Sequence, residues 1–136
     1  CPTPVILADL FPTLLAALPA ASAAPDYPID GVDLAPLLRN PAAQFGRDAL
    51  FFHYPHYYET TTPASAIRRG DWKLLEYFED GRLELFNLAA DPGEQTNLTA
   101  QEPARAAELR VQLERWRRDV GAKMPVPNPA FRAKKK

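Results

Sequence analysis

Both histidines of the chain lie in one short aromatic segment, His53-Tyr-Pro-His56-Tyr-Tyr58. An imidazole can donate a hydrogen bond to an anionic oxygen or carry a proton near neutral pH, and a phenol ring can stack on a sugar. The segment follows a predicted strand, and residues at the ends of strands are often presented into a cleft by a rigid scaffold. We therefore select His53, His56 and Tyr54 as candidate substrate-binding residues.

The same segment does not predict a metal site. Its imidazoles are separated by a proline and have no carboxylate or thiol nearby, so they fall short of a closed zinc site. A purely structural role, in which the histidines bond to backbone carbonyls, is the alternative for this segment. Arg68, Arg69 and Lys73 can attract an anion, but their pattern is more typical of a polar hairpin turn followed by a strand.

Composition excludes some classes of function. The formal net charge of −1 gives no electrostatic basis for binding nucleic acid or an anionic membrane. The chain has no apolar run long enough to span a bilayer, so we predict neither a nucleic-acid partner nor a membrane span. Its single cysteine, Cys1, cannot form an internal disulfide.

Two helix starts are predicted near the N-terminus. Apolar residues recur at helical spacing from Leu7 to Leu18, and Asp9 as N-cap would place Pro12 in the first turn, where proline is tolerated. Asp33, three residues before Pro36, predicts a second start of the same kind. The apolar face between residues 7 and 18 has no adequate partner in this chain, so we expect it to be exposed.

Strand patterns begin near residue 50. We predict strands over residues 50–54, 64–68, 72–78 and 83–88, with Asp80-Gly81 as a two-residue hairpin turn between the last two. Pro103 then opens the clearest helix, which ends before Gly121. The predicted fold is α+β: a small antiparallel sheet of about four strands packed by a C-terminal helix, after helices that belong to a larger, missing layer. The predicted divisions are 1–46, 47–124 and an extended tail over 125–136.

Five motifs in sequence order resemble the C-terminal subdomain of arylsulfatase-type sulfatases of the alkaline phosphatase superfamily. They cover most of the chain, and their order and spacing carry the resemblance. The motifs are Asp9-Leu-Phe-Pro-Thr-Leu-Leu15, Asp30-Gly-Val-Asp-Leu-Ala-Pro-Leu-Leu38, Arg68-Arg-Gly-Asp-Trp-Lys-Leu74, Glu84-Leu-Phe-Asn-Leu88, and Asp91-Pro-Gly-Glu94 with Asn97-Leu98.

The resemblance implies a sulfuric ester hydrolase whose catalytic α/β domain is missing here. Such enzymes use a formylglycine nucleophile and a divalent cation, usually calcium, and both lie upstream of this region in the family. The segment Cys1-Pro-Thr-Pro-Val5 lacks the family's proline and arginine at its third and fifth positions, so Cys1 is not expected to be the nucleophile. We therefore assign no catalytic or metal-binding residue here and expect this part to be inactive alone.

The expected role is to pack on the catalytic domain and help wall a pocket for a sulfated small molecule or glycan. The family resemblance also suggests a periplasmic or secreted location. Two alternatives stay open. One is a free-standing carbohydrate- or protein-binding module that uses Tyr54, Tyr57 and Tyr58, and the other is part of a related phosphodiester or phosphonate ester hydrolase.

Overall fold

The computed structural model describes residues 1, 3–18, 27–126 and 128–129. The chain forms two compact units, Cys1–Leu50 and Phe51–Lys136. Most of the predicted tail over 125–136 lies outside the described residues.

The first unit contains short helices. A 3₁₀ turn (Leu7–Asp9) leads into α1 (Leu10–Ala17), which starts after Asp9 as predicted, and α2 (Ala35–Arg39) follows. The N-cap of α2 is Leu34 and not Asp33, one residue later than predicted. The Asp33 carboxylate still accepts the backbone N–H of Ala35 at 2.8 Å, so the residue stabilises the start of the helix from one position further out.

Helix α1 buries none of its residues. Leu7, just before it, is 82% exposed, and Leu14 in its middle is 63% exposed. The predicted exposed apolar face is therefore confirmed. It comprises Leu7, Leu10, Phe11, Leu14 and Leu18.

A four-stranded sheet and one long helix dominate the second unit. The strands are β1 (Ala49–Tyr54), β2 (Ala64–Arg69), β3 (Trp72–Tyr77) and β4 (Leu83–Asn87), in the spatial order β1-β2-β3-β4. The pairs β2–β3 and β3–β4 are antiparallel, and α3 (Pro103–Asp119) packs on β2 and β3. The α+β prediction of a small sheet with a C-terminal helix is confirmed.

The connection between β3 and β4 differs from the predicted two-residue hairpin. It spans residues 78–82, because the turn closes around Tyr77: its N–H donates to the carbonyl of Arg82 at 3.1 Å, and its carbonyl accepts the N–H of Gly81 at 3.0 Å. Gly81 has a positive φ of 70°, which favours glycine. The Asp-Gly pair therefore marks the turn correctly but not its length.

The core of this unit lies between the sheet and α3. Ile67, Leu74 and Leu85 are side by side across β2, β3 and β4 and are fully buried, opposite Leu109 and Leu113 of the helix. Side chains alternate between the faces of a strand, so Phe52 and Tyr54 of β1 lie on the other face of the sheet from His53. Phe52 is 49% exposed and Tyr54 is 46% exposed.

The segment after β4 folds back along that strand. The side-chain amide of Asn97 accepts the N–H of Leu85 and donates to the carbonyl of Leu83, each at 3.1 Å. The N–H of Leu98 also donates to the carbonyl of Leu85, at 2.8 Å. Asn97 therefore binds its neighbouring strand through its side chain.

Candidate functional site

His53 is bonded into the fold through both ring nitrogens. Its Nδ1 lies 2.7 Å from Oγ of Ser65, and its Nε2 lies 2.9 Å from the carbonyl oxygen of Lys123. Ser65 is 2% exposed on β2, and Lys123 follows α3. His53 thus connects two strands to the chain beyond the helix, which favours a positioning role for this candidate.

The other two candidates lie together at the surface: Tyr54 is the last residue of β1, and His56 follows the strand. The rings of Tyr54 and His56 meet edge to face, with centroids 5.6 Å apart and an angle of 84° between them. His56 is exposed and makes no hydrogen bond to another described residue. Its imidazole is therefore available to a ligand, beside an aromatic face that is also partly exposed.

A cleft lies between the turn 57–62 and the side chains of Tyr77 and Arg82. Two backbone hydrogen bonds between Tyr58 and Thr61 shape the turn, and the hydroxyl of Tyr57 ties it to the Glu79 carboxylate at 2.7 Å. The cleft encloses about 310 Å³. We name it the Tyr58 cleft; it is lined by Tyr57, Tyr58, Glu59, Thr60, Thr61, Thr62, Tyr77 and Arg82.

One wall of the Tyr58 cleft is a stacked pair. The guanidinium of Arg82 lies 3.6 Å from the ring centroid of Tyr77 and pairs with Asp80 at 3.2 Å and Glu84 at 3.3 Å. Burial, followed by the hydrogen bond to Glu84, raises the pKa of the Tyr77 hydroxyl, which therefore stays protonated at neutral pH. The sequence singled out Tyr57 and Tyr58 but did not predict the pair of Tyr77 and Arg82. The length of the turn between β3 and β4 was unknown, and with it the residues that would contact the two tyrosines.

The cations considered for anion binding all have protein partners. Lys73 contacts both carboxylate oxygens of Glu94 at 2.7 Å, and Arg69 pairs with Glu108 at 2.9 Å. Arg68 lies at the hairpin turn, where its Nε is 3.5 Å from the carbonyl of Gly70. These contacts favour the hairpin interpretation over an anion site.

A buried ion pair in the first unit was not predicted. The side chain of Asp9 is 0% exposed, and Nη1 and Nη2 of Arg47 each donate to it at 2.7 Å. Backbone N–H groups of Ile6 and Val32 donate to the same carboxylate at 2.9 Å. These bonds, chiefly that of Arg47, outweigh burial and lower the pKa of Asp9 from 3.8 to about 2.

The loop that reaches Asp9 needs a glycine. A Cβ at Gly31 would lie 2.1 Å from the carbonyl oxygen of Ala8, far inside van der Waals contact. The hydroxyl of Thr13 joins the two segments that meet here. It donates to the carbonyl of Asp9 at 2.6 Å and accepts the N–H of Leu34 at 2.9 Å. The motifs of residues 9–15 and 30–38 therefore form one structural clamp.

A second ionic cluster lies under α3. Glu76 is 6% exposed and is opposite Ser65 in the sheet. It accepts hydrogen bonds from Nε of Arg110 at 3.0 Å and from Nη2 of Arg117 at 2.6 Å. These bonds hold the helix against β3, which again points to a structural role.

Ligands for a metal ion do not come together in the part of the chain that the structure describes: no three His, Cys, Asp or Glu side chains are grouped for one. These residues therefore do not fit the calcium ion implied by the resemblance. Cys1 is exposed and lies outside any such group. No helix among the described residues is long and apolar enough to cross a membrane.

A match to a known protein family shows which kind of protein these two units come from. Residues 4–119 match the family model described as N-sulphoglucosamine sulphohydrolase, C-terminal. The chain belongs to this sulfatase family. It is a C-terminal sulfatase region, and sulfatases are sulfuric ester hydrolases.

Curated relatives agree with that assignment. The sulfatase region is 33% identical to a sulfatase of Formosa agariphila over 79% of this chain and 22% of the relative. It is 34% identical to a Δ4,5-hexuronate-2-O-sulfatase of Bacteroides thetaiotaomicron over 70% of this chain and 19% of the relative. Human arylsulfatase A is 37% identical over 70% of this chain and 18% of its own length. The chain thus spans about a fifth of the length of these relatives.

Solved structures show the same fold. One, a 2-O glycosaminoglycan sulfatase, aligns with a TM-score of 0.69 and 29% identity over 84% of this chain and 25% of its own. Another, in complex with its substrate D-glucosamine-2-N,6-O-disulfate, aligns with a TM-score of 0.66 and 28% identity over 86% of this chain and 24% of its own.

Proposed function

We propose that this region is part of a carbohydrate sulfatase, in which it packs on a catalytic domain and walls part of the substrate pocket. One relative is named as a hexuronate sulfatase, and one solved relative holds a sulfated glucosamine. The observation that carries the pocket role is the exposed pair Tyr54 and His56, which joins a free imidazole to an aromatic face at the end of β1.

The catalytic domain would supply the chemistry in this proposal. It would hold the formylglycine and the calcium ion that the resemblance implies, which would supply nucleophilic and Lewis-acid chemistry for the sulfate ester. His56 would donate a hydrogen bond to the substrate, Tyr54 would pack against the sugar, and His53 would hold the strand end in place through Ser65 and Lys123.

The exposed face of α1 supports the packing role. Large apolar side chains such as Leu7 and Leu14 are more than half exposed, and such a contiguous patch marks an interaction surface. The matched part is 22% of one relative and 18% of another, and the occupant that we propose for this face is a catalytic domain equivalent to the rest of their length. Enzymes with this arrangement in the family are expected to be periplasmic or secreted.

The test uses the protein expressed from the complete open reading frame that contains this chain. We expect it to release sulfate from a sulfated glucosamine and His56→Ala to raise KM about tenfold or more, the cost of a lost hydrogen bond to a charged group. Val111→Ala is the control, since Val111 is a 63% exposed residue of α3. Unchanged kinetics in His56→Ala would remove His56 from the pocket.

Two further outcomes separate the alternatives. We expect the 136-residue chain alone to release no sulfate. If it instead binds a sulfated glycan tightly without any catalytic domain, the binding-module interpretation gains. If the complete protein cleaves an aryl phosphodiester and no sulfate ester, the enzyme belongs to the related phosphodiester or phosphonate hydrolases.

A further inference from the structure

The Tyr58 cleft has the surfaces that recognise a sugar ring. Tyr57 and Tyr58 are 68% and 64% exposed, so aromatic faces are available for stacking.

A hydrogen bond joins the two segments beside the cleft. The bond from the Tyr57 hydroxyl to Glu79 fixes the turn 57–62 against the connection 78–82. That carboxylate raises the pKa of Tyr57, so its phenol stays protonated and keeps donating to Glu79 at neutral pH. Such preformed contacts reduce the ordering that a ligand must otherwise impose.

The charge of the cleft selects against anions. Its lining holds the carboxylate of Glu59, and its one guanidinium, that of Arg82, already pairs with Asp80 and Glu84 while it covers the ring of Tyr77. Glu59 in the wall is exposed, and Glu79 keeps one carboxylate oxygen, Oε2, outside its bond to Tyr57. A sulfate or carboxylate placed here would meet like charge with no free cation in the lining.

We propose that the Tyr58 cleft binds an unsulfated sugar residue, neutral or bearing an amine, that neighbours the sulfated unit of a glycan. The inference rests on the proposed function in taking the ligand to be a carbohydrate. The ring stacks on Tyr58, and its hydroxyls or amine donate to the carboxylate of Glu59. The sulfate itself binds elsewhere.

The test is an NMR titration of the full 136-residue chain with three probes: a methyl glucoside, a methyl glucosaminide with a free amine, and a methyl glucoside 6-sulfate. We expect the first two to shift amides of the turn 57–62 at millimolar concentration, the amine most tightly. The sulfated probe should bind at least tenfold more weakly than the amine.

Two variants localise the effect. Tyr58→Ala should abolish the shifts, whereas Tyr27→Ala, which removes a 62% exposed tyrosine of the first unit, should leave them unchanged. Glu59→Gln should reduce the preference for the amine over the neutral sugar. Equal or tighter binding of the sulfated probe, shifts that survive in Tyr58→Ala, or no binding by any probe would each overturn the inference. Because this titration measures no sulfate release, its failure leaves the proposed hydrolase activity to its own assay.

Discussion

Replacing Arg47 with methionine tests the buried ion pair between Asp9 and Arg47 most directly. Methionine keeps an unbranched apolar stem like that of arginine but removes the guanidinium, with the two donors that contact the carboxylate. Because the Asp9 side chain is 0% exposed, the variant leaves a buried charge without its partner. Removing one partner of a buried pair costs about 3–5 kcal/mol, and we expect a loss in that range at neutral pH.

The pH dependence gives a second magnitude. The pKa of Asp9 falls from 3.8 to about 2 on folding, so the folded state favours the ionised carboxylate by about 2 kcal/mol. A depressed folded-state pKa contributes stability that is present above pH 3.8 and is lost as the pH falls towards 2. The wild-type chain should therefore lose about this much in that window, and Arg47→Met should lose much less.

Hydrogen exchange at the Val32 amide is the appropriate assay, since this N–H donates directly to Asp9 and reports on the first unit alone. We expect protection in Arg47→Met to fall by about a hundredfold or more, the equivalent of 3 kcal/mol. Arg39→Met is the matched control, because Arg39 is exposed in α2. If Arg47→Met lost less than about 1 kcal/mol of stability, or kept the acid dependence of the wild type between pH 4 and 2, the role assigned to the Asp9–Arg47 pair would be refuted.

Two more substitutions test packing and charge in the separate units. Gly31→Ala should reduce the hydrogen-exchange protection of the first unit by the equivalent of about 3 kcal/mol, because the new Cβ meets a backbone carbonyl. Gly46→Ala is the control and should be nearly neutral, since the nearest neighbour of its Cβ is 3.9 Å away. Comparable effects of the two substitutions would show that the loop at Gly31 moves to accept the added methyl group. Glu76→Ala should lower the free energy of unfolding of the second unit by about 3 kcal/mol in urea denaturation, because it strips a 10% exposed arginine of its partner. Glu114→Ala, at a 43% exposed helix pair, should cost about 0.5 kcal/mol or less, and equal losses in the two variants would contradict the argument.

Local sequence signals predicted the strands and α3 well. Turn residues and prolines mark where these elements begin and end. As a result, the predicted and observed ends of β2 and β4 differ by only one residue. The Asp80-Gly81 turn was misjudged because its length depends on the hydrogen bonds that close around Tyr77. A local pattern marks where a chain turns more reliably than how many residues the turn uses.

Contacts between distant residues were not predictable in the same way. Asp9 was interpreted as a helix cap, and it does precede α1, but its carboxylate bonds to Arg47 across 38 positions. His53 was a candidate for binding substrate, and its local sequence gives no sign that Ser65 and Lys123 engage its ring. Only the three-dimensional arrangement separates it from His56, whose imidazole is exposed.

The side-chain amide of Asn97 also has a consequence for assembly. A strand at the border of a sheet normally offers a row of unpaired N–H and carbonyl groups to any other extended chain. Along β4, Asn97 and Leu98 already bind the groups of Leu83 and Leu85 that would otherwise be offered. The sheet is therefore closed to strand addition at this border, and neither a partner peptide nor a second copy can extend it there without first displacing residues 97–98.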